Sequence, residues 1–181
     1  LTAIDVRSLP YEPQVTDPAV IAAAGIARVR YLAGQDQLQQ DEQGTILVSD
    51  EARSQLEGSV QAWDDYIALD PAEPDTNVGR LVVLSFVHLN DAAGAAEVQK
   101  VLVAAEPTSR GYSELARYLY FDGQMNQGDK AAAEAVASAE KADRAGIRSQ
   151  LKGIADQARK QQRVQAALEE AGGTGTAPNP L

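Results

Sequence analysis

"ARVRYLAGQ" runs from Ala27 to Gln35, and "ARYLYFDGQ" runs from Ala116 to Gln124, with the Ala, the first Arg, one Tyr, the Gly and the Gln identical. A third stretch, "RLVVLSFVHLND", falls into phase when its Val83 is matched to Ala27 and Ala116. Val83 and Ala116 lie 33 positions apart; Ala27 and Val83 lie 56 apart, one such unit plus an insertion of roughly twenty residues. Two segments between the phrases close alike: "YIALDP" ends at Pro71 and "LVAAEP" at Pro107, each with an acidic residue before the Pro. The chain therefore reads as a unit used three times.

Helical signals fill those units. Asp17-Pro18 is an N-cap acceptor followed by Pro at the first helical position. Beyond it, Ile21, Ile26, Val29 and Leu32 keep helical spacing. Ser49 or Asp50 caps a second helix that continues to "AWDDYIALDP". Further helices are expected in "DTNVGRLVVLSFVHLN", "DAAGAAEVQKVLVAAEP", "TSRGYSELARYLYFDGQ" and "GDKAAAEAVASAEKADRA". A seventh carries Ile147, Leu151, Ile154 and Ala158 on one face, as an amphipathic helix does. Residues 1–16 read as an extended lead-in, residues 17–170 as the helical domain, and residues 171–181 as a Gly/Pro-rich flexible tail.

Composition supports that reading and narrows function. Of 181 residues 44% are hydrophobic, and Ala is abundant while Phe, Trp and Met are scarce, a mix suited to close-packed helices rather than a β core. A net charge of −10 opposes a phosphate-backbone partner, so no nucleic acid is expected. With no Cys and one His, neither a disulfide nor a transition-metal site is expected, and no cofactor is implied. No apolar run spans a bilayer. Membrane contact is expected only through a segment outside this chain; an extracytoplasmic domain behind an anchor and a cytoplasmic domain are equally compatible with the sequence.

A helix–turn–helix unit of about 34 residues closing on Pro resembles the tetratricopeptide repeat. The middle unit, Thr76 to Pro107, is most similar, with Val82, Val83 and Phe86 in its first helix and Ala95 and Leu102 in its second. The third matches through Tyr112, Leu115, Ala116, Gly128-Asp129 and Ala133, but carries about five extra residues at "GQMNQ" and lacks a closing Pro. The first matches through Ile26, Ala27, Gly34, Ser59, Trp63 and Pro71, around its insertion. The resemblance implies an all-α, right-handed superhelical stack of antiparallel hairpins, about seven helices with the last as a cap. It also implies a non-catalytic protein-interaction module; the alternative is a structural or oligomerisation domain, with a homodimer as its form.

In that family the first helices line a concave groove. The carry-over gives Ile21, Arg28 and Tyr31 from the first unit, Asn77, Arg80, Leu84 and His88 from the second, and Arg110, Ser113, Arg117, Tyr120 and Phe121 from the third. Every fully charged member is Arg, which suits capture of a carboxylate, so the expected partner is a protein or peptide of acidic character. The competing expectation is that these arginines pair with nearby Asp and Glu. No catalytic residue is expected: His88 has no nucleophile motif beside it, and Asp64 and Asp65 are adjacent on a helix, so they point about 100° apart. "QDQLQQDEQG" lacks the ligand spacing of a calcium loop and reads as a polar helix end. The apolar "TILV" at Thr45 to Val48 is expected to tuck against the first unit rather than meet a partner.

Overall fold

Five of the seven helices begin on a side chain that accepts the hydrogen bonds an N-terminus cannot satisfy internally. The computed structural model describes residues 17–170; the expected lead-in and tail lie outside the described residues. Asp17 accepts from Ala19 N ahead of α1, Pro18–Gln35. Ser49, not Asp50, caps α2, Asp50–Ala68, by accepting from Ala52 N. Asp75 accepts from both Asn77 N and Val78 N to open α3, Thr76–Leu89. Asp91 and Thr108 do the same for α4, Ala92–Ala105, and α5, Ser109–Phe121. Each such cap is worth about 1 kcal/mol. The chain closes with α6, Met125–Ala137, and α7, Arg144–Glu170.

Short turns join α3 to α4 and α5 to α6, so these pairs are antiparallel hairpins. Asn90 ends α3 in the left-handed region at φ 63°, where Asn is tolerated, and Gly123 at φ 84° makes the α5–α6 turn. Consecutive helices pack on each other from α1 through α7. The all-α stack is thus three hairpins with a long terminal helix against the last.

The repeat is visible in burial as well as in spelling. Val82 and Val83 in α3 and Leu115 and Ala116 in α5 are all core residues, and each pair is offset by 33 positions. The N-terminal residues Asp75 and Thr108 keep the same offset, as do Asp91 and Gln124. This corrects the reading of "GQMNQ" as extra residues. Asp122 to Gln124 is the turn, and Met125 begins the next helix one turn earlier than expected.

The insertion after α1 forms a small antiparallel hairpin, β1 Gln39–Gln40 against β2 Ile46–Leu47. Its turn is fixed by Asp41, whose carboxylate accepts from Gln43 N and Thr45 N, and by Gly44 at φ 84°. The polar stretch is therefore mostly a β-turn rather than a helix end. Ile46 and Leu47 are about half exposed, at 50% and 48%, so the apolar tetrapeptide does not tuck in as expected; pairing with Gln39 and Gln40 satisfies its backbone without burying its side chains.

Close approaches set the helix spacing. Trp63 and Tyr66, both buried, make a tilted ring contact with centroids 5.2 Å apart, and the Tyr66 hydroxyl accepts from Asp75 N at 2.7 Å. One aromatic pair therefore anchors the end of α2 to the start of α3. The Ser59 hydroxyl, fully buried, donates to Ala27 O at 2.8 Å and ties α2 to α1.

Candidate functional site

Neighbouring first helices do not meet equally along the stack. α1 packs on α3 and α5 packs on α7, but α3 and α5 meet at most slightly, and α4 packs on both. Between them runs a cleft of about 540 Å³. Its floor is Gln99, Leu102 and Val103 of α4, all buried; its walls are Val83 and Leu84 of α3 and Gly111 and Tyr118 of α5. Gln99 donates from Nε2 to Gly111 O at 3.1 Å, which fixes the floor to one wall with a buried amide.

Charged groups line the rim, and they are already engaged. Arg80 donates to Glu106 in an ion pair at 2.5 Å, while the Thr76 hydroxyl donates to the same carboxylate at 2.7 Å. The hydrogen bond from Thr76 is the main reason that Glu106 titrates below an ordinary glutamate, with the Arg80 hydrogen bond and charge adding to it. Arg80 also donates to Asn77 Oδ1 at 3.2 Å. Arg110 pairs with Glu114 at 3.0 Å across one helical turn, an interaction that holds its guanidinium above its usual range. The Tyr118 phenol, buried at the cleft wall, is pushed up first by desolvation and then by the Glu114 charge.

The expected groove residues divide among several places. Arg80, Leu84 and Arg110 come together in this cleft. Arg28 and Ile21 lie in a second cleft of about 710 Å³, between α1 and the α2–α3 loop, whose rim carries Asp17, Asp70, Glu73 and Asp75. Tyr31 and Tyr120 were expected to offer contact area to a partner. They are only 4% and 2% exposed, and belong to the core instead. The reason is packing: an apolar ring at the hairpin crossing seats against the next helix, as Tyr120 does over Gly128. Phe121 is half-buried against the same core. His88 is half-buried on α3 and lines none of these clefts; desolvation lowers its pKa. Arg117 and Ser113 are half-buried on α5, where the Ser113 hydroxyl donates to Ser109 O.

Glu106, Glu114, Gln99 and Tyr118 were not expected to build the cleft, yet they do. The acid before Pro107 was visible in the sequence, but nothing local tied it to Arg80, 26 residues earlier. Partial desolvation, then the neighbouring Asp65 charge, raises the Asp64 carboxyl. Among the described residues no three His, Cys, Asp or Glu side chains are grouped to hold a metal ion. No helix of the described residues is long and apolar enough to cross a membrane.

No protein-family model, curated protein or solved structure matches this chain.

Proposed function

We propose that this protein is a non-catalytic interaction module whose α3–α4–α5 cleft holds a peptide or helix of a partner. The observation that carries this reading is the separation of α3 from α5, which leaves the buried side chains of α4 as a floor between two helical walls. The tetratricopeptide resemblance supports it, because first helices of that family line a binding groove. The rim favours a partner with carboxylates. Glu106 and Glu114 sit in solvent-exposed ion pairs, which contribute little, so a partner's acid can take the place of either one. Leu84, 41% exposed at the wall, supplies an apolar contact for the same segment.

Peptide-display selection with the wild type and with Leu84→Asp tests the assignment. Wild type should enrich acidic sequences with one or two apolar anchors, and the variant should lose them while keeping its helical signal and melting temperature. Equal enrichment by both would remove the cleft as the binding site.

An oligomerisation role is the second reading, favoured by one observation: α1 leaves Ile21, Ile26, Val29 and Leu32 between 44% and 65% exposed. A dimer by light scattering that Val29→Asp dissociates would favour this reading over the first.

A further inference from the structure

The acidity of this chain is unevenly placed. Residues 36–75 contain eleven Asp and Glu and a single basic residue, Arg53, for a net −10 that equals the charge of the whole chain. The rest sums to zero, and within it the cations gather on α7. Arg144, Arg148 and Lys152 stand four residues apart on successive turns, and Arg159 follows one heptad after Lys152.

All four line one groove. It runs between antiparallel α6 and α7, has a volume of about 560 Å³, and is floored by Ala132, Val136, Leu151 and Ala155. From Arg144 to Arg159 the groove follows α7 for about 22 Å at 1.5 Å per residue, the length of four helical turns. Two of the cations serve the fold. Arg144 donates to Ala139 O at 3.1 Å and closes the α6–α7 connection, and Arg159 pairs with Asp156 at 3.2 Å. The side chains of Arg148 and Lys152 make no hydrogen bond or ion pair among the described residues. The one acid lining the groove, Asp129, accepts from the Tyr120 hydroxyl at 2.9 Å.

We infer that the α6–α7 groove is a second docking site, for an acidic amphipathic helix of a partner protein. An apolar floor between two helices takes an apolar helix face, and cations on successive turns of one wall take carboxylates at i, i+4 and i+8 of the guest. Charge selects this occupant. In a second copy, the exposed apolar face of α1 belongs to a helix with no acid and two arginines, Arg28 and Arg30, while the acidic face of α2, with Glu51, Glu57, Gln61, Asp64 and Asp65, is polar and offers the floor nothing apolar to bury. Phosphate backbones offer the apolar floor no helix face to bury, and the acidic segment at residues 36–75 opposes the approach of polyanions and anionic bilayers to the chain. The site is separate from the α3–α4–α5 cleft and shares no lining residue with it.

The probe is a synthetic 18-residue helix with a Leu/Ala stripe and Glu at i, i+4 and i+8 beside it, titrated by fluorescence anisotropy at low salt. Its control has Lys at the three Glu positions. The Glu peptide should bind with amide shifts confined to α6 and α7, and should weaken at least tenfold in Arg148→Glu/Lys152→Glu. That variant should prefer the Lys peptide, a reversal that loss of folding cannot produce. Leu84→Asp, in the other cleft, should bind the Glu peptide like wild type, so the two sites fail independently. Equal binding of both peptides, shifts mapping elsewhere, or no binding at millimolar peptide would each overturn the proposal. So would a dimer in sedimentation that Arg148→Glu/Lys152→Glu dissociates, which would place a second copy in the groove.

Discussion

Gly128→Ala should be strongly destabilising even though Ala is the better helix former. A Cβ built at Gly128 stands 2.5 Å from Tyr120 Cδ1 and 2.6 Å from Cε1. Carbon atoms in good contact lie about 3.5–4.0 Å apart, so the ring must withdraw by about 1 Å. Tyr120 has little freedom to do so: it is 2% exposed, and its hydroxyl is fixed on Asp129. Overpacking of this kind costs about 1–3 kcal/mol. Losing a hydrogen bond to a carboxylate adds about 1.5–3 kcal/mol if the ring swings far enough. Helix propensity returns at most about 1 kcal/mol. The net expectation is a loss of about 2–4 kcal/mol, or on the order of 5–15 °C in melting temperature for a domain of this size. Thermal and urea unfolding followed by circular dichroism at 222 nm measures it. Tyr120→Leu removes the ring, so the double variant should recover at least about 1 kcal/mol relative to additivity. Gly153→Ala, with no atom within 4 Å of the added carbon, should instead gain up to about 1 kcal/mol. A Gly128→Ala protein as stable as wild type would refute the packing argument, and with it the close seating of α5 on α6.

Asp75→Ala removes the acceptor for Asn77 N and Val78 N and should cost about 1–2 kcal/mol in urea unfolding, whereas Asp75→Asn should cost much less. Ser59→Ala should lose about 1 kcal/mol, since its buried hydroxyl is replaced by a methyl-sized group and Ala27 O keeps its place in the helix ladder. His88, the sole histidine, should titrate by NMR below 6.5 because burial disfavours its charged form. The unfolded chain then binds the proton first, so stability should fall as pH drops below about 6.5, and His88→Gln should flatten that slope. Glu106 should titrate below 4.5, and Thr76→Val should move its midpoint up. Its contribution to stability is present above the ordinary glutamate value and disappears as pH falls through the depressed one.

What the sequence made legible was whatever depends on neighbours along the chain. Asp17-Pro18, Asp75 and Asp91 mark helix starts because a cap acts within three residues, and the helices they open are where the periodicity places them. The matched phrases were legible for a related reason: Ala27, Val83 and Ala116 are all buried, so each copy keeps a small residue at the same core position. The misreadings share a different cause. "GQMNQ" reads as an insertion because Gln124 offers no side-chain cap, so nothing local announces that α6 begins at Met125. Tyr31 and Tyr120 were placed in a groove by family correspondence, but the glycine opposite Tyr120 lies on another helix and decides the matter by contact.

Electrostatics were the least legible part, and the reason bears on both proposed sites. The sequence gives the number of arginines but not their partners, and a partner changes what an arginine can do. Arg80 and Arg110 each hold a glutamate, as the competing expectation had it, so a ligand in that cleft must exchange one carboxylate for another. Nothing in the sequence of α7 singles out Arg148 and Lys152 from its other charges, yet they line a groove whose lone acid is held by a tyrosine. The first site can therefore favour an acidic partner only by exchanging one carboxylate for another, and because its charges are balanced before binding the floor supplies most of the affinity. The second discriminates by charge, because Arg148 and Lys152 have no carboxylate to release. Raising salt should separate them: affinity at the α6–α7 groove should fall with ionic strength, as expected for screened charges, while affinity at the α3–α4–α5 cleft should change little. Similar salt dependence at both would mean that the Arg80 and Arg110 pairs open in solution and that the two grooves work by one mechanism.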